Sequence, residues 1–183
     1  MSRQTYYNRL RAACKARDEN PNPQDRIVVI ARTDARAGRD EEGNAGFAEA
    51  VERLRGALEV GVDAVFLEAL EDERECAEAV QLLPEGVPVV LNMVPGGKTP
   101  VVSAEEAGRL GFAVQIWPTL GLEAVVPALE RAYGGLKREG RGEEGLSKGP
   151  TGLFEVCGLR ELMEFDRSVG GTAYGGTWRE SGC

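Results

Sequence analysis

The sequence contains no histidine. That removes the commonest general base, the commonest metal ligand, and any Ser–His or Cys–His nucleophile pair. A metal site here would have to be built from oxygen ligands. Cysteine is scarce: Cys14, Cys76, Cys157 and Cys183 are scattered with no CxxC or other ligand spacing. The first three fall in predicted helices, where a reduced thiol acts as a small hydrophobe. The cytoplasm, or an organelle matrix, is the expected compartment. No apolar run approaches a membrane span, and the opening MSRQTYYNRL lacks the apolar core of a signal peptide. Positive charge is in deficit, with a net charge of −8 and a pI near 4.8. That balance argues against nucleic acid or an anionic membrane as partner and leaves small molecules open.

What remains suits one globular domain with a sizeable core: 183 residues, 42% hydrophobic and 28% charged. The informative stretch is Ile27–Arg36, IVVIARTDAR. Five apolar residues without alternation predict a strand covered on both faces, as in a parallel sheet. Arg32, Thr33, Asp34 and Arg36 follow at once. Charge arriving at the carboxyl end of a strand is how α/β enzymes place site residues. The alternative is an Arg–Asp pair that merely closes the strand.

Similar units follow. Val62–Leu67 predicts a strand ending at Glu68, Val87–Leu91 one ending at Asn92, and Phe112–Trp117 one leading to Thr119. With the first strand at Ile27, the starts at 62, 87 and 112 are 35, 25 and 25 residues apart. Between them lie amphipathic helices carrying Phe47/Val51/Leu54/Leu58 and Cys76/Val80/Leu83, then a short helix opened by the capping box Ser103/Glu106. A helix over Thr5–Arg17 leads, and another over Leu122–Tyr133, holding Pro127, follows. This alternation predicts βα units on a parallel sheet. The expected domains are a half-barrel of four βα units over 1–134, a flexible linker over 135–150, C-terminal helices over 151–167 broken at Gly158, and a disordered tail over 168–183.

In a βα barrel the strand ends share one rim, so Arg32, Glu68 and Asn92 become candidate site residues. The GGKT run (Gly96–Thr99) is not a nucleotide P-loop, because Asn92 stands where the first glycine belongs and Pro100 where a helix should continue. Amides at Gly96 and Gly97 remain candidates for a carboxylate or phosphate. Lys98 is open between anion binding and a solvated loop lysine.

Four motifs in order, ARTDA (31–35), FLEAL (66–70), VLNMVPGGKTP (90–100) and FAVQIWP (112–118), resemble the isocitrate lyase / phosphoenolpyruvate mutase superfamily, in particular its methylisocitrate lyase, dimethylmalate lyase and oxaloacetate hydrolase group. The resemblance implies an α/β fold, a partial (β/α)8 TIM barrel comprising the last four βα units plus C-terminal helices. It implies Mg²⁺-dependent C–C bond lyase, hydrolase or phosphonomutase chemistry on 2-oxo or 2-hydroxy carboxylic acids, passing through an enolate. By the resemblance Arg32 and Glu68 would be the catalytic pair, and Arg32 and Asn92 would bind the substrate carboxylic acid, beside the Gly96 and Gly97 amides that the residues themselves offer for it. Glu68 would serve the metal indirectly, by orienting water in the Mg²⁺ shell.

The departures matter equally. The family's metal-binding D-x-D-T-G-[YF]-G segment belongs to the other half, and no two aspartates here stand two positions apart. Its K-K/R-C-G-H acid–base loop requires histidine. Pro95 replaces the glutamate of N-M-V-E-G-G. The primary metal ligands are thus absent. The expectation is a half that is inactive alone, a truncated relative serving as a binding or interaction module, or one that forms a homo-oligomer or pairs with a full-length relative.

Overall fold

The computed structural model describes residues 1–142 and 149–171. Its centre is a parallel sheet of β1 (Ile30–Thr33), β2 (Ala64–Leu67), β3 (Val89–Asn92) and β4 (Val114–Ile116), in the spatial order β1-β2-β3-β4. Each strand pairs with the next in sequence, the order that successive βα units take in a barrel. Ala31 pairs with Val65 and Arg32 with Phe66, while Phe66 pairs with Val90 and Val90 with Val114. Asn92 stands opposite Ile116.

One face of the sheet is closed by helices. Helix α1 (Arg3–Asp18) starts at the Ser2 cap, whose hydroxyl accepts from the Thr5 amide. Helix α2 (Phe47–Val60) carries Ala50, Val51, Leu54 and Ala57 inward at helical spacing and stops at Gly61, whose φ of +101° is left-handed. Helix α3 (Glu73–Gln81) is capped by Asp72. Helix α4 (Ala104–Arg109) has the expected capping box, with Ser103 and Glu106 each bonding the other's amide. Gly111 follows it at φ +95°, and a Cβ there would come within 2.8 Å of Val80, so the close approach of α3 requires glycine. Ala31, Val65, Leu67, Val89, Leu91 and Met93 meet Leu54, Cys76 and Ala107 in one core. Burying each large aliphatic chain contributes roughly 1.5–3 kcal/mol.

The first strand corrects its expectation in two ways. Its ladder begins at Ile30, not Ile27, because the Val29 amide donates to the Asp63 carboxylate (2.8 Å), which also accepts from Arg17 (2.6 Å). It is covered on one face only: exposure alternates along β1, and Ile27 and Val28 are exposed. On the sheet's other face, edge residues Ile30, Val114 and Ile116 are exposed, whereas Phe66 and Val90 in the central strands are buried.

Residues Met1–Glu123 form one unit and those from Ala124 a second. Helix α5 (Leu120–Glu139) buries no side chain. Helix α5 runs through Gly134 and Gly135 to Glu139, with Lys137 and Arg138 where the helix dipole favours cations. Helices α6 (Gly149–Val156) and α7 (Leu159–Ser168) flank Gly158, as expected. Cys157 is exposed just beyond α6, not buried in a helix, while Cys14 and Cys76 are buried free thiols. Residues 143–148 of the linker and 172–183 of the expected tail lie outside the described residues. Among the described residues no helix is long and apolar enough to cross a membrane.

Candidate functional site

Period-two alternation sends Arg32 and Phe66 to the face opposite the helices, and Glu68 and Asn92 follow at their own strand ends. The Arg32 guanidinium lies 3.1 Å from Glu68 Oε2 and 2.7 Å from Asp34 Oδ1, and its Nε donates to Asp34 Oδ2 at 3.1 Å. It also stands over the Phe66 ring, 5.0 Å from the centroid. Such a contact contributes about 0.5–1 kcal/mol when exposed and restricts where the cation can swing. The Asp34 hydrogen bond first, and the Glu68 charge after it, hold the Arg32 pKa above its ordinary value, so it is a fixed cation at every working pH.

Asn92 Nδ2 donates weakly toward both Glu68 oxygens, at 3.4 and 3.5 Å. Its Oδ1 is buried with no hydrogen-bond partner among the described residues. A buried acceptor left unpaired costs about 1–3 kcal/mol. The strand ends therefore present a cation, a half-buried carboxylate and an amide acceptor that lacks a donor. Arg32 pairs with Asp34 at its own strand end and also reaches Glu68 beside the neighbouring strand.

The other candidates are placed differently. Gly96 has φ +76°, and the Gly97 amide donates to the Val94 carbonyl at 2.8 Å, closing a turn. The Gly97 N–H is thus engaged within its own turn. Lys98 is exposed. The Thr119 hydroxyl donates to Glu123 Oε1 at 2.5 Å, in the first turn of α5. An open cleft of about 250 Å³ flanks Arg32, lined also by Tyr6, Thr33, Asp34, Arg39 and Arg53. It is smaller than the roughly 300–1,000 Å³ of ordinary ligand pockets, and Glu68 and Asn92 do not line it. The strand ends thus enclose no pocket that Arg32, Glu68 and Asn92 all line.

Phe66 escaped the sequence reading, although its position two residues before Glu68 fixes it on the same face. Asp34's hold on Arg32 was legible as a pair. Among the described residues no three His, Cys, Asp or Glu side chains converge to hold a metal ion.

The profile of the family described as Phosphoenolpyruvate phosphomutase matches residues 1–137. A 2-methylisocitrate lyase of Bacillus subtilis strain 168 is 34% identical over 148 residues, covering 80% of this chain and 46% of the relative. A crystal structure of 2,3-dimethylmalate lyase superposes with a TM-score of 0.82 at 40% identity, covering 98% of this chain and 58% of that one. Oxaloacetate acetylhydrolase, solved with its product oxalate, gives 0.79 at 34%, covering 93% and 56%. A phosphonopyruvate hydrolase, solved with oxalate and Mg²⁺, shares the fold at 24% identity, with a TM-score of 0.69, covering 91% of this chain and 56% of that one. The chain spans about half the length of the curated relatives it matches. Its four strands are accordingly part of a TIM-barrel-type sheet. The chain belongs to the phosphoenolpyruvate phosphomutase family of the PEP mutase/isocitrate lyase superfamily, whose members related to it here are lyases and mutases of carboxylic acids.

Proposed function

We propose that this chain supplies the carboxylate-binding part of a barrel that makes or breaks a bond beside a carbonyl, acting on a 2-oxo or 2-hydroxy carboxylic acid through an enolate. The observation that carries the reading is the convergence of Arg32, Glu68 and Asn92 at adjacent strand ends, with one buried acceptor waiting for a donor. The Arg32 guanidinium receives a substrate carboxylate or the oxygen on which negative charge develops, a fork-shaped donor for a planar anion. Asp34 and Glu68 hold that fork in place until the anion arrives. Asn92, with its Nδ2 turned to Glu68, offers Oδ1 to a donor on substrate or bound water.

Mg²⁺ fits this half only in part. Glu68 and Asn92 Oδ1 suit contact with metal-bound water, and no described set of side chains suits direct coordination. When bound, the metal would polarise the substrate's oxygens. Direct ligands and the acid–base group come from the rest of the barrel, on this polypeptide or another. The sheet face bearing Ile30, Val114 and Ile116 receives that remainder, whether from a full-length relative or from a second copy. The free buried thiols suit a reducing compartment, the cytoplasm or an organelle matrix.

A second reading has one observation in its favour, the lack of a described metal-ligand cluster: a binding or interaction module that holds such acids without turning them over. One experiment separates the two. The chain is mixed with the complementary half of a relative and Mg²⁺, and release of pyruvate, glyoxylate or oxalate from candidate acids is followed. Turnover that disappears in Arg32→Ala supports the enzyme reading. Acid binding by a well-mixed complex without turnover supports the module.

A further inference from the structure

The chain leaves Glu68 through an unfavourable turn. Ala69 has φ +64°, the one non-glycine residue with positive φ among the described residues, and Leu70 then re-enters the core at 1% exposure. An L-residue stays in that region only where its surroundings over-determine it. Here the surroundings are specific. Glu75, in the first turn of α3, accepts from the Glu71 amide at 3.0 Å. Arg36 grips Glu75 with Nε (3.0 and 3.1 Å) and Nη2 (2.8 Å), and its Nη2 also reaches Glu71 Oε2 at 2.6 Å. Arg36 and Glu75 are largely buried, at 18% and 14% side-chain exposure, so water screens this fork less than a surface pair.

Arg36 belongs to the loop that follows Arg32. That loop is held in turn, since the Gly46 amide donates to the Ala35 carbonyl (2.7 Å) and the Gly38 amide to the Asp34 carbonyl (2.8 Å). The clamp therefore joins the loop after Arg32 to the loop after Glu68. We propose that Arg36, acting through Glu71 and Glu75, is a positioning residue that fixes the Glu68 carboxylate against the Arg32 guanidinium. A planar, forked cation sets orientation as well as distance, which the point charge of lysine does not. Asp34 fixes Arg32 from one side, and the Arg36 clamp fixes Glu68 from the other. The functional weight of this rests on the reading of Arg32 and Glu68 given above, whereas the geometry does not.

The test uses the whole chain and the variants Arg36→Ala, Arg36→Lys and Glu75→Gln, with Arg55→Ala as a distant ion-pair control. Two readouts are independent of ligand: the NMR signal of the Arg32 Nε–H, and hydrogen exchange at the Glu68 amide, which donates to the Thr33 carbonyl at 3.1 Å. The third is titration with oxalate. The expected result is a moved Arg32 signal and faster Glu68 exchange in both Arg36 variants. Oxalate binding should be about tenfold weaker or more, the scale on which supporting partners act. Arg55→Ala should change none of the three. Unmoved signals in Arg36→Ala, or wild-type behaviour of Arg36→Lys, overturn the proposal. If Arg36→Ala does not fold, the near-isosteric Glu75→Gln decides by the same criteria. If the wild-type chain binds no oxalate, the site reading fails, and the two ligand-free readouts still decide the clamp.

Discussion

The Glu68 carboxylate lies 3.1 Å from the Arg32 guanidinium although the two belong to different βα units. The ladder brings them within reach: Arg32 stands opposite Phe66, and Glu68 lies two residues on, just past the end of that strand. The pair is therefore a product of register, and a slip by one residue would send Glu68 to the helix side.

Arg32→Ala should weaken oxalate binding far more than Lys98→Ala. Loss of a hydrogen bond to a charged group costs about 1.5–3 kcal/mol, or roughly ten- to a hundredfold in affinity. Lys98, exposed on its loop, should cost less than about threefold. Calorimetric titration of both variants checks this, and equal losses would remove Arg32 from the site.

The 183-residue chain alone should neither bind Mg²⁺ tightly nor release pyruvate, glyoxylate or oxalate from 2-oxo or 2-hydroxy acids. Glu68 alone offers too few oxygen ligands, and the Arg32 guanidinium cannot act as a base. Metal-dependent turnover by the purified chain, lost in Glu68→Ala, would be the contrary result.

The sheet's open face predicts association. With Ile30, Val114 and Ile116 exposed and β1 and β4 as edge strands, the chain should self-associate or bind an apolar dye. Sedimentation and dye fluorescence test it; a monodisperse monomer that binds no dye would contradict it.

Stability should be flat from about pH 5 to pH 8, since there is no histidine to titrate. It should then fall as pH drops through about 4, the ordinary carboxylate range. Glu49 is held below its ordinary value chiefly by Arg3, Asp63 by the Val29 amide and then Arg17, and Asp40 by Asn44. Each such carboxylate has a folded pKa below its unfolded one. Its contribution is therefore complete above the unfolded value and lost as pH falls through the folded one. Urea midpoints across pH 2–8 would reveal the profile.

Leu54→Ala, at a fully buried position of α2, should cost about 2–5 kcal/mol. Ala69→Gly should do the opposite by a small margin. Relief of roughly 1–2 kcal/mol of left-handed strain exceeds the roughly 0.4–1 kcal/mol added by glycine's freedom when unfolded. Chemical denaturation of both variants tests the signs.

Much of this was legible in the sequence because it is local. The Ser103–Glu106 box, the stop at Gly61 and the break at Gly158 each need only a few neighbouring residues. The rim residues Arg32, Glu68 and Asn92 were legible because each directly ends an apolar run. The Phe66 platform and the Arg36–Glu75 clamp were not, because both depend on which residues register or loop closure brings opposite one another. The late start of β1 is a long-range effect too: Asp63, on the next unit, takes the Val29 amide. The extension of α5 through Gly134 and Gly135 ran against local propensity.

The strand order β1-β2-β3-β4 has a consequence for the growing chain on the ribosome. Each new strand docks on the one made just before it, so the sheet can lengthen at one side as synthesis proceeds. At about 5–20 residues per second, successive units emerge a few seconds apart. Until the next unit arrives, the newest strand is an exposed template, so the same nearest-neighbour order that lets the sheet assemble stepwise passes the open edge from strand to strand, from β1 through β3 and its Asn92 to β4.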